Sequence, residues 1–244
     1  FETSDPMINQ LQSNIVWGQK GNFVDVPTDC PQRDERLGWT GDAQVFARTA
    51  AFNMDVAGFF TKWLADLAAD QWEDGRVPHV VPNVLGTTGR QLPGGAAGWG
   101  DAAVIIPWTM YLTYGDTALL ERQYPSMARW VEFQRMRAGD DLVWDGDPHF
   151  GDWLAFSSNA SDYPGATTGK DLIATAFLAH SADLMTRIAT VLGKERDAAQ
   201  YRSLAARVRE AFLREFVTPN GRVGENTQTA YVLALEFDLL PERL

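Results

Sequence analysis

The feature that most constrains this chain is an alternation between two kinds of helical segment. Val56, Phe59, Phe60, Trp63, Leu64, Leu67 and Ala68 recur at the three-to-four spacing that gathers apolar side chains on one helical face. Tyr201, Leu204, Ala205, Val208 and Phe212 repeat it, as do Phe177, Ser181, Leu184, Ile188 and Val191 ahead of Gly193. The spacing predicts helices near 4–16, 42–53, 55–73, 101–114, 116–138, 171–192, 196–216 and 225–239. Two long Gly/Pro-rich loops, about 74–100 and 139–170, interrupt them. Strand signals are confined to Phe23–Val26 and Val80–Val81, so the reading is all-α.

The helices near 42, 101, 171 and 225 are small or apolar all round, as at Ala102, Ala103, Val104, Ile105 and Ile106. Those near 55, 116 and 196 carry one apolar stripe and a charged outer face. A helix that is apolar on every side is buried, and one with a polar face lies outside. Alternating inner and outer helices describe a toroid of helical hairpins, an α/α barrel. An ordinary helical bundle or solenoid is the competing architecture.

Charge and composition narrow the function. The 244 residues carry a net charge of −11, which argues against nucleic acid and against an anionic membrane surface. No apolar run approaches the roughly 20 residues that span a bilayer. Cys30 is the single cysteine, so there is no internal disulfide framework, and the cellular compartment stays open. The chain begins at Phe1 and stops at Leu244, which reads as a piece of a longer multidomain protein, with residues 1–244 forming part of a single barrel domain.

The densest chemistry lies between Asp29 and Asp42. Asp29, Asp34, Glu35 and Asp42 are interleaved with Arg33 and Arg36, and bracketed by Pro31, Gly38, Trp39 and Gly41. Acids held beside arginines and a flat aromatic surface suit a pocket that grips a sugar and protonates a leaving oxygen. The alternative is an acidic loop neutralised by its own arginines. A second regularity joins Gly-Asp to tryptophan three times: Trp39 with Asp42, Trp99 with Asp101, and Asp152 with Trp153. The aspartates recur about one helical hairpin apart, so in a toroid their loops converge on one rim and one cavity. Asp42 and Asp101 acting as plain helix N-caps would explain the acids but not the tryptophans.

Other titratable groups carry less. His79 and His149 fall in loops that can approach the cavity, and His180 lies inside a helix as a structural residue. No His, Cys and acid spacing makes a transition-metal site. Asp140, Asp141, Asp145 and Asp147 depart from the EF-hand spacing, so no calcium site is assigned.

The segment from Asp29 through Cys30, Pro31, Gln32, Arg33, Asp34, Glu35 and Arg36 to Trp39, Asp42 and Ala43 resembles the catalytic signature of the bacterial α-L-rhamnosidases of glycoside hydrolase family 78. Gly98–Ala102, Gly151–Leu154 and Thr227–Tyr231 are supporting matches, and the similarity runs through the whole chain. The resemblance implies an (α/α)6 barrel, here truncated on its C-terminal side to roughly eight helices. It also implies an inverting hydrolase that releases terminal α-L-rhamnose from glycosides and oligosaccharides without a cofactor. Position by position, Glu35 becomes the general acid, and Asp29, Arg33, Trp39 and Asp42 hold the sugar. Trp99 and Trp153 wall the pocket, with Asp101 and Asp152 as further sugar ligands. The general base is expected beyond Leu244, which would leave residues 1–244 inactive alone.

An inverting hydrolase needs one protonated carboxyl at the leaving oxygen and one carboxylate about 6.5–9.5 Å away that activates water. On residue type alone Asp34 rivals Glu35 as the acid. Another inverting α/α-barrel glycosidase, acting for example on glucosides, and a non-catalytic sugar-binding domain are the alternative functions.

Overall fold

The computed structural model describes residues 1–87, 94–156 and 165–242. Among these, every regular element is helical: α1 (Pro6–Asn22), α2 (Thr40–Asn53), α3 (Ala57–Asp70), the single turn α4 (Val84–Thr87), α5 (Ala102–Tyr114), α6 (Thr117–Ala138), α7 (Lys170–Val191), α8 (Glu195–Phe216) and α9 (Gln228–Glu236). Extended pairing among the described residues is limited to isolated bridges joining Phe23 to Pro27, Trp39 to Val80 and Val217 to Val223. Setting aside α4, eight helices remain, as the sequence predicts.

Their arrangement follows from their surfaces. In α7, residues on every side are buried, among them Leu172, Ile173, Leu178, Leu184, Met185 and Ile188. In α8 only the stripe Ala198, Leu204, Ala205, Val208, Ala211 and Phe212 is buried. The two pack as a long hairpin, α7 inside and α8 outside. Helices α2, α5, α7 and α9 stand in one row, each against the next, while α3 and α6 back α5, and α6 and α8 back α7. The result is an arc of an α/α barrel. Fully burying one large aliphatic or aromatic side chain contributes about 1.5–3 kcal/mol, so Trp63, Trp130, Trp144, Phe60 and Phe212, all fully buried, dominate the core.

Two expectations need correction. First, α2 and α9 are not buried all round. Val45 and Phe52 of α2 are each 79% exposed, and Leu235 of α9 is 69% exposed. These helices end the row, so each has an inner neighbour on one side only among the described residues. Second, α1 runs to Asn22 instead of stopping near 16. Asp5 caps its start by accepting from the Met7 N–H at 2.8 Å. Its last turns survive two glycines because buried Gln19 donates to the Ala50 carbonyl of α2 at 3.2 Å.

Candidate active site

The loop from Asp29 to Trp39 is closed by its own first acid. The Asp29 N–H donates to the Leu37 carbonyl at 3.1 Å, and the Asp29 carboxylate accepts from the Leu37 N–H at 3.0 Å. Between these anchors Arg33 bridges two carboxylates, 3.2 Å from Asp29 and 2.9 Å from Glu35. The other oxygen of Glu35 accepts from the Trp39 indole N–H at 3.1 Å. Glu35 thus keeps a fixed place while its side chain stays 37% exposed, and so reachable. Asp34 and Arg36 are exposed, and neither makes an ion pair among the described residues.

Gly38 lets this loop meet the next one. A Cβ there would fall 2.2 Å from the Val81 carbonyl oxygen, so no side chain fits. The close approach pairs Val81 N–H with the Gly38 carbonyl and Thr40 N–H with the His79 carbonyl, each at 2.9 Å. Trp39 is thereby fixed at the start of α2. Three residues on, Asp42 sits in the first turn of α2, and the helix cap position is Trp39.

A cavity of about 690 Å³ opens beside this loop. Asp29, Asp42, Trp99 and Trp153 line it, together with Gly41, Thr28, Ile173 and Phe177. Asp42 is open to water, but the dense wall around it, then the charges of Asp29 and Glu35, raise its carboxyl above the ordinary aspartate range. Trp99 lies over the start of α2: a Cβ on Gly41 would come within 2.7 Å of the Trp99 ring. Arg33, Glu35 and Trp39 do not line this cavity and adjoin it through Asp29.

The carboxylates of Asp101 and Asp152 are each engaged by several donors of the protein itself. Asp101 is fully buried, and its carboxylate accepts from Gly98 N–H at 2.8 Å, Trp130 Nε1 at 3.0 Å, Gln134 Nε2 at 2.9 Å and Ser181 Oγ at 2.6 Å. It is absent from the cavity lining, and although it holds the N-cap position of α5 its side chain makes no capping hydrogen bond to that helix. Asp152 accepts from the N–H and hydroxyl groups of Thr167 and Thr168, and from Thr229 at 3.2 Å. Burial alone would raise the Asp152 carboxyl, and these donors together hold it below the ordinary range. Both carboxylates are spent on tying loops to helices, which leaves Trp99 and Trp153 as the cavity-facing members of their pairs.

Phe150 carries no polar group and no signal that residue-type reasoning detects. Its ring stands among four others: His79 at 4.8 Å, Trp99 at 4.6 Å, Trp153 at 5.7 Å and Trp39 at 6.2 Å between centroids. His79 and His149 are buried behind this wall. Burial lowers both imidazoles to about 4, helped at His79 by the nearby His149 and Arg76. His149 Nδ1 accepts from the Ala97 N–H at 3.0 Å, which fixes its neutral tautomer. His180 stacks on Phe237 at 3.9 Å, away from the cavity lining. Asp29, Cys30 and Glu35 bring potential ligand atoms within 4.8 Å of one another, but the Arg33 cation already bridges the two acids.

Known proteins resemble this chain in sequence and in fold. An α-L-rhamnosidase of Streptomyces avermitilis is 50% identical over 244 residues, covering 100% of this chain and 22% of that protein. The crystal structure of the Streptomyces avermitilis α-L-rhamnosidase complexed with L-rhamnose superposes with a TM-score of 0.88, at 50% identity over 100% of this chain and 22% of that one. Native α-L-rhamnosidase from Aspergillus terreus gives a TM-score of 0.91 at 41% identity, covering 99% of this chain and 28% of that one. The chain spans about a quarter of the length of the curated relatives it matches. Residues 1–244 match the family described as the bacterial alpha-L-rhamnosidase six-hairpin glycosidase domain, and the chain belongs to that family.

Proposed function

We propose that this chain is the acid-bearing part of an inverting α-L-rhamnosidase, one stretch of a single barrel domain in a longer multidomain protein. The observation that carries the reading is the Glu35 carboxylate, fixed between the Trp39 indole and Arg33 beside a cavity lined by Asp29, Asp42, Trp99 and Trp153. Glu35, in its protonated form, donates to the glycosidic oxygen as the bond from that oxygen to the anomeric carbon breaks. Water attacks the anomeric carbon from the opposite face and gives its proton to a second carboxylate, expected in a later part of the sequence. Asp29, Asp42 and Arg33 hold hydroxyl groups through charge-assisted hydrogen bonds, and Trp99 and Trp153 cover apolar sugar faces.

Glu35 is preferred over Asp34 because it alone of the two is engaged by Trp39 and Arg33 among the described residues. The test is turnover, by the full-length protein, of an aryl α-L-rhamnoside whose leaving group is poor and basic, so that its oxygen must be protonated as it departs. Glu35→Gln is expected to lower kcat by about 10²–10⁴-fold, with folding stability unchanged because the side chain is at the surface. A variant within a few-fold of wild type would overturn the assignment. Rhamnose binding without turnover by wild-type protein would favour a sugar-binding domain, and cleavage of aryl glucosides in preference to rhamnosides would point to another glycosidase.

A further inference from the structure

The three tryptophans of the site come from three separate segments, and none makes a ring contact with another among the described residues. What they share is Phe150. Its ring meets Trp39 edge-on at 78°, Trp153 at 72° and Trp99 at a tilt of 47°. Edge-to-face packing of this kind has a preferred geometry, so each ring restrains the rotation of its neighbour.

The backbone around Phe150 is itself pinned. On one side, His149 accepts from the Ala97 N–H, which ties it to the segment that carries Trp99. On the other, Gly151 has φ +70°, and a Cβ there would fall 2.7 Å from the Ala166 Cβ. Phe150 is half-buried and, like Glu35 and Trp39, absent from the cavity lining. A phenyl ring can neither donate nor accept the protons of the reaction. Its leverage lies in orientation: the Trp39 indole that it packs against is the one that donates to Glu35. A turn of that indole about its side-chain bonds would carry Nε1 away from the carboxylate.

We infer that Phe150 is a positioning residue, whose ring sets the orientation of Trp39 and, through the Trp39 indole, that of the Glu35 carboxyl. The inference rests on the rhamnosidase reading above and assigns to that site a residue that residue types alone leave out.

A double-mutant cycle on the full-length protein tests it, with kcat on an aryl α-L-rhamnoside bearing a poor, basic leaving group as the readout. Phe150→Leu keeps apolar volume and removes the ring. With Trp39 in place it is expected to lower kcat about tenfold or more, since small misplacements of a reacting group cost that much. In a Trp39→Phe background, where the indole donor is already gone, the same change is expected to cost less than about threefold. A purely structural role would give the same factor in both backgrounds, and that result, or an unchanged kcat with Trp39 present, overturns the inference. If the leucine variant does not fold, Phe150→Met takes its place in the same cycle. Wild-type protein that leaves the rhamnoside uncut overturns the functional reading as well, whereas cleavage by wild type with an additive cycle overturns the positioning role alone.

Discussion

Asp42 and Asp101 share a local signature, glycine then aspartate close behind a tryptophan, and end in opposite environments. Asp42 faces the cavity with its carboxyl raised by the dense wall and by the charges of Asp29 and Glu35. Asp101 is sealed in the core, where burial also raises its carboxyl, and four donors from the Gly98 segment, α6 and α7 compensate it. One acid is left unspent and strained by its neighbours; the other is consumed in building the platform that holds Trp99. A functional site needs both. Groups free to meet a ligand must be less satisfied than the scaffold, and the scaffold must be satisfied enough to bear that cost.

The contrast can be broken at either end, and the larger effect belongs to the core. Asp101→Ala orphans the Trp130, Gln134, Ser181 and Gly98 donors, so it is expected to cost about 3–5 kcal/mol of folding stability by urea denaturation. A loss below about 1 kcal/mol would mean that this network is not a structural anchor.

The buried histidines behind the aromatic wall give the next effect through pH. Their folded values near 4 lie below the ordinary 6.5, so folding favours the neutral form. Their contribution is complete above about pH 6.5 and is lost as pH falls toward 4, worth up to about 3 kcal/mol for each ring. Thermal midpoints measured across that window should fall with acid, and His79→Phe should flatten the profile. Asp42 has the opposite sign. Its raised carboxyl favours the folded state at low pH, and that contribution fades as pH rises through the folded value.

The smallest effect is at Asp42 itself. Asp42→Asn is expected to raise KM for an aryl rhamnoside about tenfold, with kcat within about threefold, as befits a group that holds ground and transition state alike. Stability at neutral pH should not fall, because the substitution removes a crowded negative charge beside Asp29 and Glu35. A stability loss like that of Asp101→Ala would erase the distinction between the two acids.

Much of this was legible in the sequence, but unevenly. The all-round apolar character of α5 and α7, and the single stripe of α8, announce inner and outer helices because burial acts on each residue in place. The segment from Asp29 to Asp42 announces a pocket because its charges, glycines and tryptophan are chemically conspicuous. The fate of Asp101 was not legible: its partners Trp130, Gln134 and Ser181 lie far along the chain, and Gly-Asp reads the same whether free or saturated. Phe150 was hidden for a related reason, since a ring that acts only by packing leaves no mark of its role in residue type. The exposed faces of α2 and α9 escaped notice because periodicity reports an apolar surface and not whether a neighbour covers it.

The most direct measurement asks whether Glu35 supplies the proton. Full-length wild type and Glu35→Gln would be compared on two aryl α-L-rhamnosides, one with an acidic nitrophenol that leaves without protonation and one with a poor, basic leaving group. If Glu35 is the general acid, the variant keeps most of its rate on the first and loses orders of magnitude on the second. Equal losses on both substrates, or none on either, would contradict that role.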